Sequence, residues 1–415
     1  MTATSFFTSR WIEAPPNAVE VAGGGLPRGF RAAGVACGIK ESGARDLGLL
    51  VSDATETTSA ARFSRSGALS APVLLSQERS RLHALRGVVV NSGNANAATG
   101  ARGLEDAARM QEGAAGACGL SEDAVAVAST GVIGVPLPMD AITRGLASAA
   151  GELRPDGDLD FAEAIRTTDA YAKHVTLDLA LSDGTVRLSV QGKGAGMISP
   201  HFATLLVFVQ TDAVLDADEA DLLLSVCVKR SFDRISVDGQ LSTSDTIAFM
   251  ASGASGVRVE PETDDERAFG EAMDAALRQL ALLVARDGEG ARRVGRVIVR
   301  GGDPAAVERV AHAVGDSPLV KTALYGGDPN WGRVIQAVGA AMPGTAPLPV
   351  DIAIEGIQVC AHGARVPHDS EALTAAVQRD EVEYEIGLPG EGAETERFFS
   401  DLGHEYVTIN AEYTT

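Results

Sequence analysis

The stretch Lys193–Asp212 reads KGAGMISPHFATLLVFVQTD, and it joins a glycine-bearing loop to a strand. Glycines at 192, 194 and 196 allow an unusual backbone path in the loop, and Pro200 marks its end. The run Thr204–Gln210 is apolar and rich in Val and Leu, which predicts a buried strand. Runs of the same kind recur along the chain, at Leu47–Ser52, Gly87–Asn91, Val125–Ala128, Arg187–Gln191, Val294–Val299 and Val350–Ile354.

Helices are predicted between these strands, at Gly103–Cys118, Asp218–Phe232 and Glu266–Arg286, where apolar residues recur at helical spacing. Strands and helices do not alternate as simple βαβ units, and no GxGxxG motif opens a helix after the first strand. The pattern predicts an α+β protein. The polar stretches at 154–160 and 260–265 are predicted to be surface loops.

Composition restricts the class of protein. Of 415 residues, 45% are hydrophobic and 22% charged, which is typical of a globular chain and not of a disordered one. The net charge of −21 argues against a nucleic-acid partner, because phosphate binding requires a surplus of Lys and Arg. The simplest function of this charge is to keep the protein in solution.

Localisation is inferred from cysteine usage and from the lack of long apolar runs. The four cysteines, at 37, 118, 227 and 360, form no CxxC pair, and we interpret them as reduced thiols, most of them buried, in a cytoplasmic protein. The first twenty residues do not resemble a secretion signal. No apolar run is long enough to span a membrane, so no membrane association is predicted.

The Ala203–Thr204 step suggests a chemical role for this loop-to-strand junction. A small residue before Thr204 would let its hydroxyl reach the Ala203 carbonyl, and an N-to-O acyl shift followed by hydrolysis would then cut the chain. The freed amine, whose ordinary pKa is about 7.7–8.0, could activate the hydroxyl of the same residue. By spacing alone, an ordinary loop followed by a strand is the more common explanation.

A resemblance that runs along the whole chain favours a chemical role for this junction over an ordinary loop followed by a strand. The segment Lys193–Asp212, which we call the cleavage loop, resembles the signature of the bifunctional ornithine acetyltransferase / N-acetylglutamate synthase family of arginine biosynthesis. Further segments match in the same order, at Ala36–Lys40, Asn91–Asn96, Ser129–Gly134, Thr167–Asp169, Asp238 with Ser242–Thr243, Asp287–Gly290, Asp328–Arg333 and Tyr406–Thr415. The segment Asp328–Arg333 and the cleavage loop are the most specific of these.

The resemblance implies a layered αββα sandwich and self-cleavage into chains 1–203 and 204–415, two pairs of which would form a heterotetramer. It implies that the acetyl group of N-acetylornithine passes to Thr204 and then to glutamate. No metal or redox cofactor is then needed, and acetyl-CoA is a further acetyl donor if the protein is bifunctional. Such an enzyme is an autocatalytically cleaved acyltransferase of amino-acid biosynthesis.

The same resemblance assigns the reactive part of the site. Thr130 and Gly131 would form the oxyanion hole, although they also fit a plain strand-to-loop turn. Lys193 would bind substrate, and its charge suits a carboxylate, yet a solvated loop lysine is the ordinary alternative.

Further substrate contacts follow from the resemblance. One of Thr167 and Thr168 would bind substrate, in a loop that we expect to precede a helix, where capping is the alternative. Glu289, in a glycine-flanked turn, would suit the ammonium of ornithine. Asn410 and Thr415 would fold into the site, an assignment that rests entirely on the resemblance because chain ends usually fray.

Other motifs are less specific or depart from the family pattern. We expect Asp328–Arg333 to be structural rather than part of the active-site rim. Asn94 is a weak candidate for positioning the site. The stretches Phe63–Gly67, Ser242–Asp245 and His201–Phe202 differ from the usual family sequence, which leaves the acyl donor and acceptor open, and some relatives serve specialised metabolism. Two rival functions are an N-terminal-nucleophile amidase or aminopeptidase and, least favoured, a non-enzymatic scaffold.

Overall fold

A computed structural model describes residues 5–199 and 205–412. The strands in these ranges are β1 (Ala18–Glu20), β2 (Phe30–Val35), β3 (Leu47–Ser52), β4 (Thr58–Phe63), β5 (Gly87–Asn94), β6 (Val125–Val132), β7 (Lys173–Leu181), β8 (Gly184–Lys193), β9 (Leu206–Thr211), β10 (Ile235–Ser236), β11 (Thr246–Ala251), β12 (Val294–Arg300), β13 (Asp351–Ile354), β14 (Ile357–Ala361), β15 (Ala364–Arg365), β16 (Glu381–Gly387) and β17 (Glu394–Ser400).

The helices in the same ranges are α1 (Ala71–Arg79), α2 (Gly100–Cys118), α3 (Met139–Gly151), α4 (Asp158–Ala164), α5 (Ala217–Arg230), α6 (Asp264–Arg286), α7 (Pro304–Gly315), α8 (Pro318–Gly326), α9 (Trp331–Ala341), α10 (Ser370–Ala376) and α11 (His404–Glu412). Single turns of 3-10 helix lie at Glu122–Ala124 and Phe232–Arg234.

Two sheets stack face to face. One has the order β2-β3-β5-β6, and the other has the order β1-β7-β8-β9-β11-β4. Alternate residues of β9 serve the two faces of its sheet. Leu206 and Phe208 pack toward the smaller sheet, against Val88 and Val90 of β5, and Val207 points to the opposite side. The space between the two sheets is therefore one apolar core.

Helices cover both outer faces of this pair of sheets. The helices α1, α2 and α3 pack on the smaller sheet, where Met110 and Ile142 meet Val89 of β5. The helices α5 and α6 cover the larger sheet, where Leu224 and Leu277 join a single buried cluster with the outer side chains of β8, β9 and β11. The predicted α+β class and αββα sandwich are both confirmed.

A third sheet, which the sequence pattern did not separate from the sandwich, lies beside α6. Its order is β10-β17-β12-β16-β13-β14-β15. Val297 and Phe399 face α7 and α9, where they join Val310 and Val338. Phe398, the neighbour of Phe399, points the other way into the core cluster that contains α6. This sheet therefore extends the sandwich through a shared helix.

The predicted surface loop at 154–160 is wrong in its second half. Asp158 begins α4, which lies between the two stacked sheets, and Phe161 is fully buried with its ring 5.3 Å from the Phe208 ring. The polar residues of this stretch predicted a loop on the surface. Asp158 is nevertheless buried, because its carboxylate accepts a hydrogen bond from Gly25 N. The predicted strand at Leu47–Ser52 has the observed bounds, and the predicted helix at Glu266–Arg286 begins two residues earlier.

All four cysteines lie in the described ranges as free thiols. Cys227 and Cys360 are buried, and Cys37 and Cys118 are partly exposed. No helix in the described ranges is both long enough and apolar enough to cross a bilayer.

Candidate active site

A cavity of about 390 Å³ opens at one end of the two stacked sheets. Its walls come from the ends of β6 and β8, the loop before β7, the turn after α6, the loop before β11, and α11. The seven predicted site residues that lie in the described ranges all line it: Thr130, Gly131, Thr167, Thr168, Lys193, Glu289 and Asn410. The remaining three, Ala203, Thr204 and Thr415, lie outside the described residues.

Lys193 is the last residue of β8 and is almost wholly buried. Its Nζ donates to Thr167 Oγ1 at 2.7 Å and to Thr130 Oγ1 at 3.2 Å. The alternative of a solvated loop lysine is therefore wrong. Among the pocket-lining residues that the structure describes, Lys193 is the only lysine or arginine, and Glu289 and Asp238 are the carboxylates. A buried cation that faces a cavity suits an anionic group of a ligand.

Thr130 and Gly131 lie inside β6, so the alternative of a plain turn is wrong. Gly131 has a φ of 130°, and a Cβ at this position would lie 2.3 Å from the carbonyl carbon of Gly93. Only glycine can occupy a backbone that is both left-handed and in such close contact. The register of β5 against β6 shifts at Asn94, which pairs with both Thr130 and Val132. This irregularity lies where the strand end meets the cavity.

Thr167 and Thr168 lie between α4 and β7, so the expected position before a helix is wrong. They follow a helix and precede a strand, which removes capping of a following helix as their explanation. Thr167 Oγ1 accepts a hydrogen bond from Lys193, whereas Thr168 lines the cavity beside it. The order of helix and loop was predicted wrongly because α4 is short and rich in acidic residues.

Glu289 lies in the turn that follows α6, and its backbone N–H donates to the carbonyl of Ala195 at 3.0 Å. A Cβ on Gly196 would lie 2.8 Å from the Glu289 carboxylate, so a larger residue here would displace this side chain from its present position. Asn410 Nδ2 donates to Glu289 Oε2 at 2.7 Å. The helix α11 thus reaches the cavity through a polar contact with this carboxylate.

The described part of the chain resumes at Leu205, which is buried beside the cavity wall. Its N–H donates to Asp245 Oδ1 at 3.0 Å, and its carbonyl accepts from Thr246 N at 3.1 Å. The next residue, Leu206, pairs with Lys193 across β8 and β9. The residue after the predicted nucleophile is therefore held on both sides, next to the lysine of the site.

Two loops of the site are tied together by Asp238. Its carboxylate accepts from Met197 N at 2.6 Å and from Ile198 N at 2.9 Å, and Tyr406 of α11 donates its hydroxyl to the same group at 3.3 Å. The backbone at Met197 and Ile198, in the loop before the predicted cleavage step, is thus held by hydrogen bonds. Met197 nevertheless has a φ of 59°, which is unusual for a residue other than glycine.

A model of the ArgJ family matches residues 31–415. This chain belongs to the ArgJ family. The resemblance inferred from the sequence motifs is therefore confirmed.

Relatives that carry the name "Arginine biosynthesis bifunctional protein ArgJ" match nearly the whole chain. The one from Symbiobacterium thermophilum is 41% identical over 393 residues, 94% of this chain and 98% of the relative. The one from Thermus thermophilus is 43% identical over 400 residues, 94% of this chain and 99% of the relative.

Solved structures match over a smaller part of this ArgJ-family chain. The ornithine acetyltransferase of Mycobacterium tuberculosis, solved in complex with ornithine, is 37% identical and has a TM-score of 0.41. The match covers 45% of this chain and 99% of the solved chain. The bifunctional protein from Bacillus halodurans is 35% identical, with a TM-score of 0.41, covering 46% of this chain and 98% of the solved one.

The sequence motifs shared with the ArgJ family included residues to which no role was assigned. Asp238 and Tyr406 both line the cavity, and so do Ser242 and Thr243. Their position in the family motifs indicated a role at the site, but their contacts depend on loops that are far apart in sequence. Asp169, of the Thr167–Asp169 motif, lies behind the cavity wall and is completely buried.

Two further motifs serve the fold. Asn330 caps α9 by accepting a hydrogen bond from Arg333 N, and Arg333 donates to the carbonyl of Leu319, so the expected structural role of Asp328–Arg333 fits these contacts. The Asn94 side-chain amide donates a hydrogen bond to the Val135 carbonyl and supports the loop after β6.

Among the described residues, no group of three or more His, Cys, Asp or Glu side chains is arranged to hold a metal ion.

Proposed function

We propose that this ArgJ-family chain is a glutamate N-acetyltransferase of arginine biosynthesis, which moves an acetyl group from N-acetylornithine to glutamate. The family relationship over residues 31–415 carries the proposal. The cavity supports it, because one buried cation, Lys193, and a carboxylate, Glu289, face the same space as two threonine hydroxyls. An amino-acid substrate carries charges that suit both groups.

Thr204 is the proposed nucleophile, freed by self-cleavage between Ala203 and Thr204 into chains 1–203 and 204–415. The hydrogen bonds of Leu205 with Asp245 and Thr246 support this role of Thr204, because they fix the residue that follows it. Strands from both sides of the cut share one sheet, in which β9 and β11 of the second chain lie between β8 and β4 of the first. The two chains therefore stay associated, and two such pairs form the proposed heterotetramer.

The proposed reaction has two half-reactions. Thr204 Oγ attacks the acetyl carbonyl carbon of N-acetylornithine, its proton passes to the departing amine, and ornithine leaves an acetyl ester on the enzyme. The amine of glutamate then attacks the ester, and Thr204 Oγ recovers a proton as N-acetylglutamate leaves. The N-terminal amine of Thr204 carries the proton between steps, since its ordinary pKa lies near neutral pH.

Each predicted residue has a place in this scheme. Thr130 and Gly131 would stabilise the oxyanion, and Lys193 would bind the substrate carboxylate with help from Thr167 or Thr168. Glu289 would bind the ornithine ammonium, with Asn410 and Thr415 closing the site. The scheme requires no metal or redox cofactor. Acetyl-CoA is a possible second donor, in keeping with the word bifunctional in the relatives' name, and the proposed location is the cytoplasm.

The central test compares the wild type with Thr204→Ala by denaturing electrophoresis and intact mass. The wild type should give two fragments that meet between residues 203 and 204 and that elute together under native conditions, and the variant should give one uncut chain. A cut elsewhere, or an uncut wild type, would overturn the proposal. Consumption of N-acetylornithine should accelerate when glutamate is added.

A second candidate is an N-terminal-nucleophile amidase or aminopeptidase, for which water would release the acetyl group as fast as glutamate does. A third is an acyltransferase of specialised metabolism. Ser66 and Ser244 favour testing it, since both come from stretches that depart from the usual family pattern and both line the cavity. A panel of N-acylated amino acids and amine acceptors would separate these functions.

A further inference from the structure

Three buried charges, Asp169, Lys173 and Asp287, lie together behind the wall of the cavity. Lys173 Nζ is 2.7 Å from Asp169 Oδ1 and 2.5 Å from Asp287 Oδ2. The side chains of Asp169 and Lys173 are inaccessible to solvent, and that of Asp287 is 6% exposed. None of the three lines the cavity, so they cannot bind substrate directly. We call them the buried triad.

Asp169 has contacts beyond the triad that lead to the site. Its Oδ1 also accepts from Gly194 N at 2.7 Å, and its Oδ2 accepts from Thr167 N at 3.2 Å. Gly194 directly follows Lys193, and Thr167 is the residue whose hydroxyl accepts from Lys193 Nζ. One carboxylate therefore fixes both chain segments that determine where the ammonium of Lys193 lies.

Asp287 has a related but separate set of contacts. It accepts from Ala170 N at 3.0 Å and from Lys173, and it lies two residues before Glu289. It is not among the charges that principally act on Lys193. Asp287 therefore shares a lysine with Asp169 while lacking the link to Lys193, which makes it a matched control.

The charge of Lys193 depends on what faces it. Burial lowers the pKa of Lys193, and Asp169 is the strongest of the charges that oppose this effect. Lys173 on β7 and Lys40 in the loop after β2 repel the Lys193 ammonium, whereas Asp245, before β11, and Glu289, after α6, attract it.

The attraction from Asp245 is weakened because burial raises the pKa of this carboxyl well above its usual range, which favours its neutral form. Asp169 behaves in the opposite way. Burial alone would raise the pKa of Asp169, but the charges of Lys173 and Lys193 outweigh burial and hold that pKa far below its ordinary value. Asp169 is therefore a permanent negative charge behind Lys193.

We propose that Asp169 is a positioning residue that acts through Lys193, keeping its buried ammonium charged and aimed into the cavity, where it binds the carboxylate of the substrate. The role of Lys193 as a carboxylate ligand rests on the proposed function, whereas the control of its charge by Asp169 does not. Asp169 itself does not contact the substrate.

The first experiment measures the charge of Lys193 directly. The chain has five lysines, at 40, 173, 193, 229 and 321, so NMR of lysine labelled at Cε and Nζ gives few signals. The variant Lys193→Met assigns the signal of interest. In Asp169→Asn the pKa of Lys193 should fall by about one unit or more, and in Asp287→Asn it should change by less than about 0.3 units. No fall in Asp169→Asn, or equal falls in both variants, would overturn the proposal.

A second variant covers the case in which Asp169→Asn does not fold. Removing the like charge in Lys173→Met leaves Asp169 to act on Lys193 alone, so the pKa of Lys193 should rise. A fall, or no change, would contradict the proposal as firmly as the first result.

The second experiment concerns the substrate. The KM for N-acetylornithine should rise with pH at a lower pH in Asp169→Asn than in the wild type, because the lysine loses its proton earlier, while kcat changes less than KM. Asp287→Asn can raise KM, but uniformly across the pH range. If the NMR shift appears and KM does not follow, Asp169 controls Lys193 but the proposed role of Lys193 in substrate binding fails.

Discussion

Leu205 N donates to Asp245 Oδ1 at 3.0 Å, across the start of β9 and the start of β11. Both residues are completely buried. The second oxygen of Asp245 has no hydrogen-bond partner among the residues that the structure describes. Within the described ranges the carboxyl thus holds the residue that follows Thr204 and forms no ion pair, which makes it a sensitive position for testing self-cleavage.

We expect Asp245→Ala to slow self-cleavage and Asp245→Asn to preserve it. The amide oxygen of Asn can still accept from Leu205 N, whereas Ala leaves a buried N–H without an acceptor. Such a loss costs about 1–3 kcal/mol, enough to slow cleavage by roughly tenfold if the cleavage step depends on this hydrogen bond. The measurement is the fraction of cut chain against time, read by intact mass.

A matched control exists at the far end of the same strand. Asp212 follows β9 and accepts from Arg187 N at 2.7 Å, so Asp212→Ala removes a comparable hydrogen bond away from the site. Its cleavage rate should equal that of the wild type. If Asp245→Asn cleaves as slowly as Asp245→Ala, an ionised carboxylate is required and the positioning explanation fails.

Asp245 should also make stability depend on pH. Burial raises its pKa in the folded chain, so the folded state keeps a proton that the unfolded state releases above about pH 3.9. Stability from this group is complete below that pH and declines as pH rises toward the raised value. In the Thr204→Ala background, Asp245→Asn should therefore gain stability relative to its parent as pH increases.

Urea unfolding of the two uncut chains between pH 4 and 8 measures this difference. The uncut background avoids the concentration dependence of a cleaved pair. A difference in unfolding free energy that stays constant over this range would show that the carboxyl ionises normally in the folded chain.

Thr130→Val should reduce transfer while the protein still folds. The substitution keeps the shape of the side chain and removes the hydroxyl, and loss of one oxyanion donor typically lowers kcat by about 100- to 1000-fold. Lys193 retains its bond to Thr167, so the site keeps its cation. Steady-state kinetics with N-acetylornithine and glutamate give the comparison.

Thr143→Val serves as the control for that measurement. Thr143 lies on the exposed side of α3 and outside the cavity, and its hydroxyl only donates to the Met139 carbonyl. It should leave kcat unchanged. Equal losses in the two variants would point to a general effect of valine on folding and would remove Thr130 from the oxyanion hole.

The C-terminal helix α11 should contribute to binding and little to stability. None of its described residues is buried, yet Tyr406 and Asn410 reach the carboxylates of Asp238 and Glu289. Removing residues 404–415 should change the unfolding temperature by only a few degrees and raise the KM for N-acetylornithine by about tenfold or more.

Asn410→Ala should raise KM in the same direction by a smaller factor. Val407→Ala is the control, because Val407 is 66% exposed and lies outside the cavity. A truncated protein that keeps the wild-type KM would show that the helix is only an appendage of the fold.

Local pattern was enough to predict much of the sandwich. The run Leu47–Ser52 is short and mostly apolar, which favours a strand buried on both faces, and it became β3 with the same bounds. The long stripe of Ala and Leu between Glu266 and Arg286 became α6 for a similar reason. The family motifs then supplied the αββα arrangement, which composition alone could not.

Pattern failed where burial depends on distant partners. Asp158 looked like a loop residue, but it lies at the start of a helix enclosed between two sheets. From sequence alone Lys193 fitted a solvated lysine, but Thr130 and Thr167, 63 and 26 residues away, accept hydrogen bonds from its ammonium. A charged residue is usually exposed, but it can be buried where the fold provides a counter-charge or a hydrogen-bond acceptor. Such partners lie far away in sequence, so the neighbouring residues do not predict the burial.

The residues of the chain by themselves predicted many of the buried strands, the helices α2, α5 and α6 and, through the family motifs, which side chains to examine, because periodicity and motif are local properties. Only the tertiary structure decided that Lys193, Thr130, Thr167, Glu289 and Asn410 face one cavity, and that Asp169 lies behind them as a fixed charge. The reason is physical: a buried charge is held by groups that reach it from several elements, and their distances exist only after the sheets have stacked.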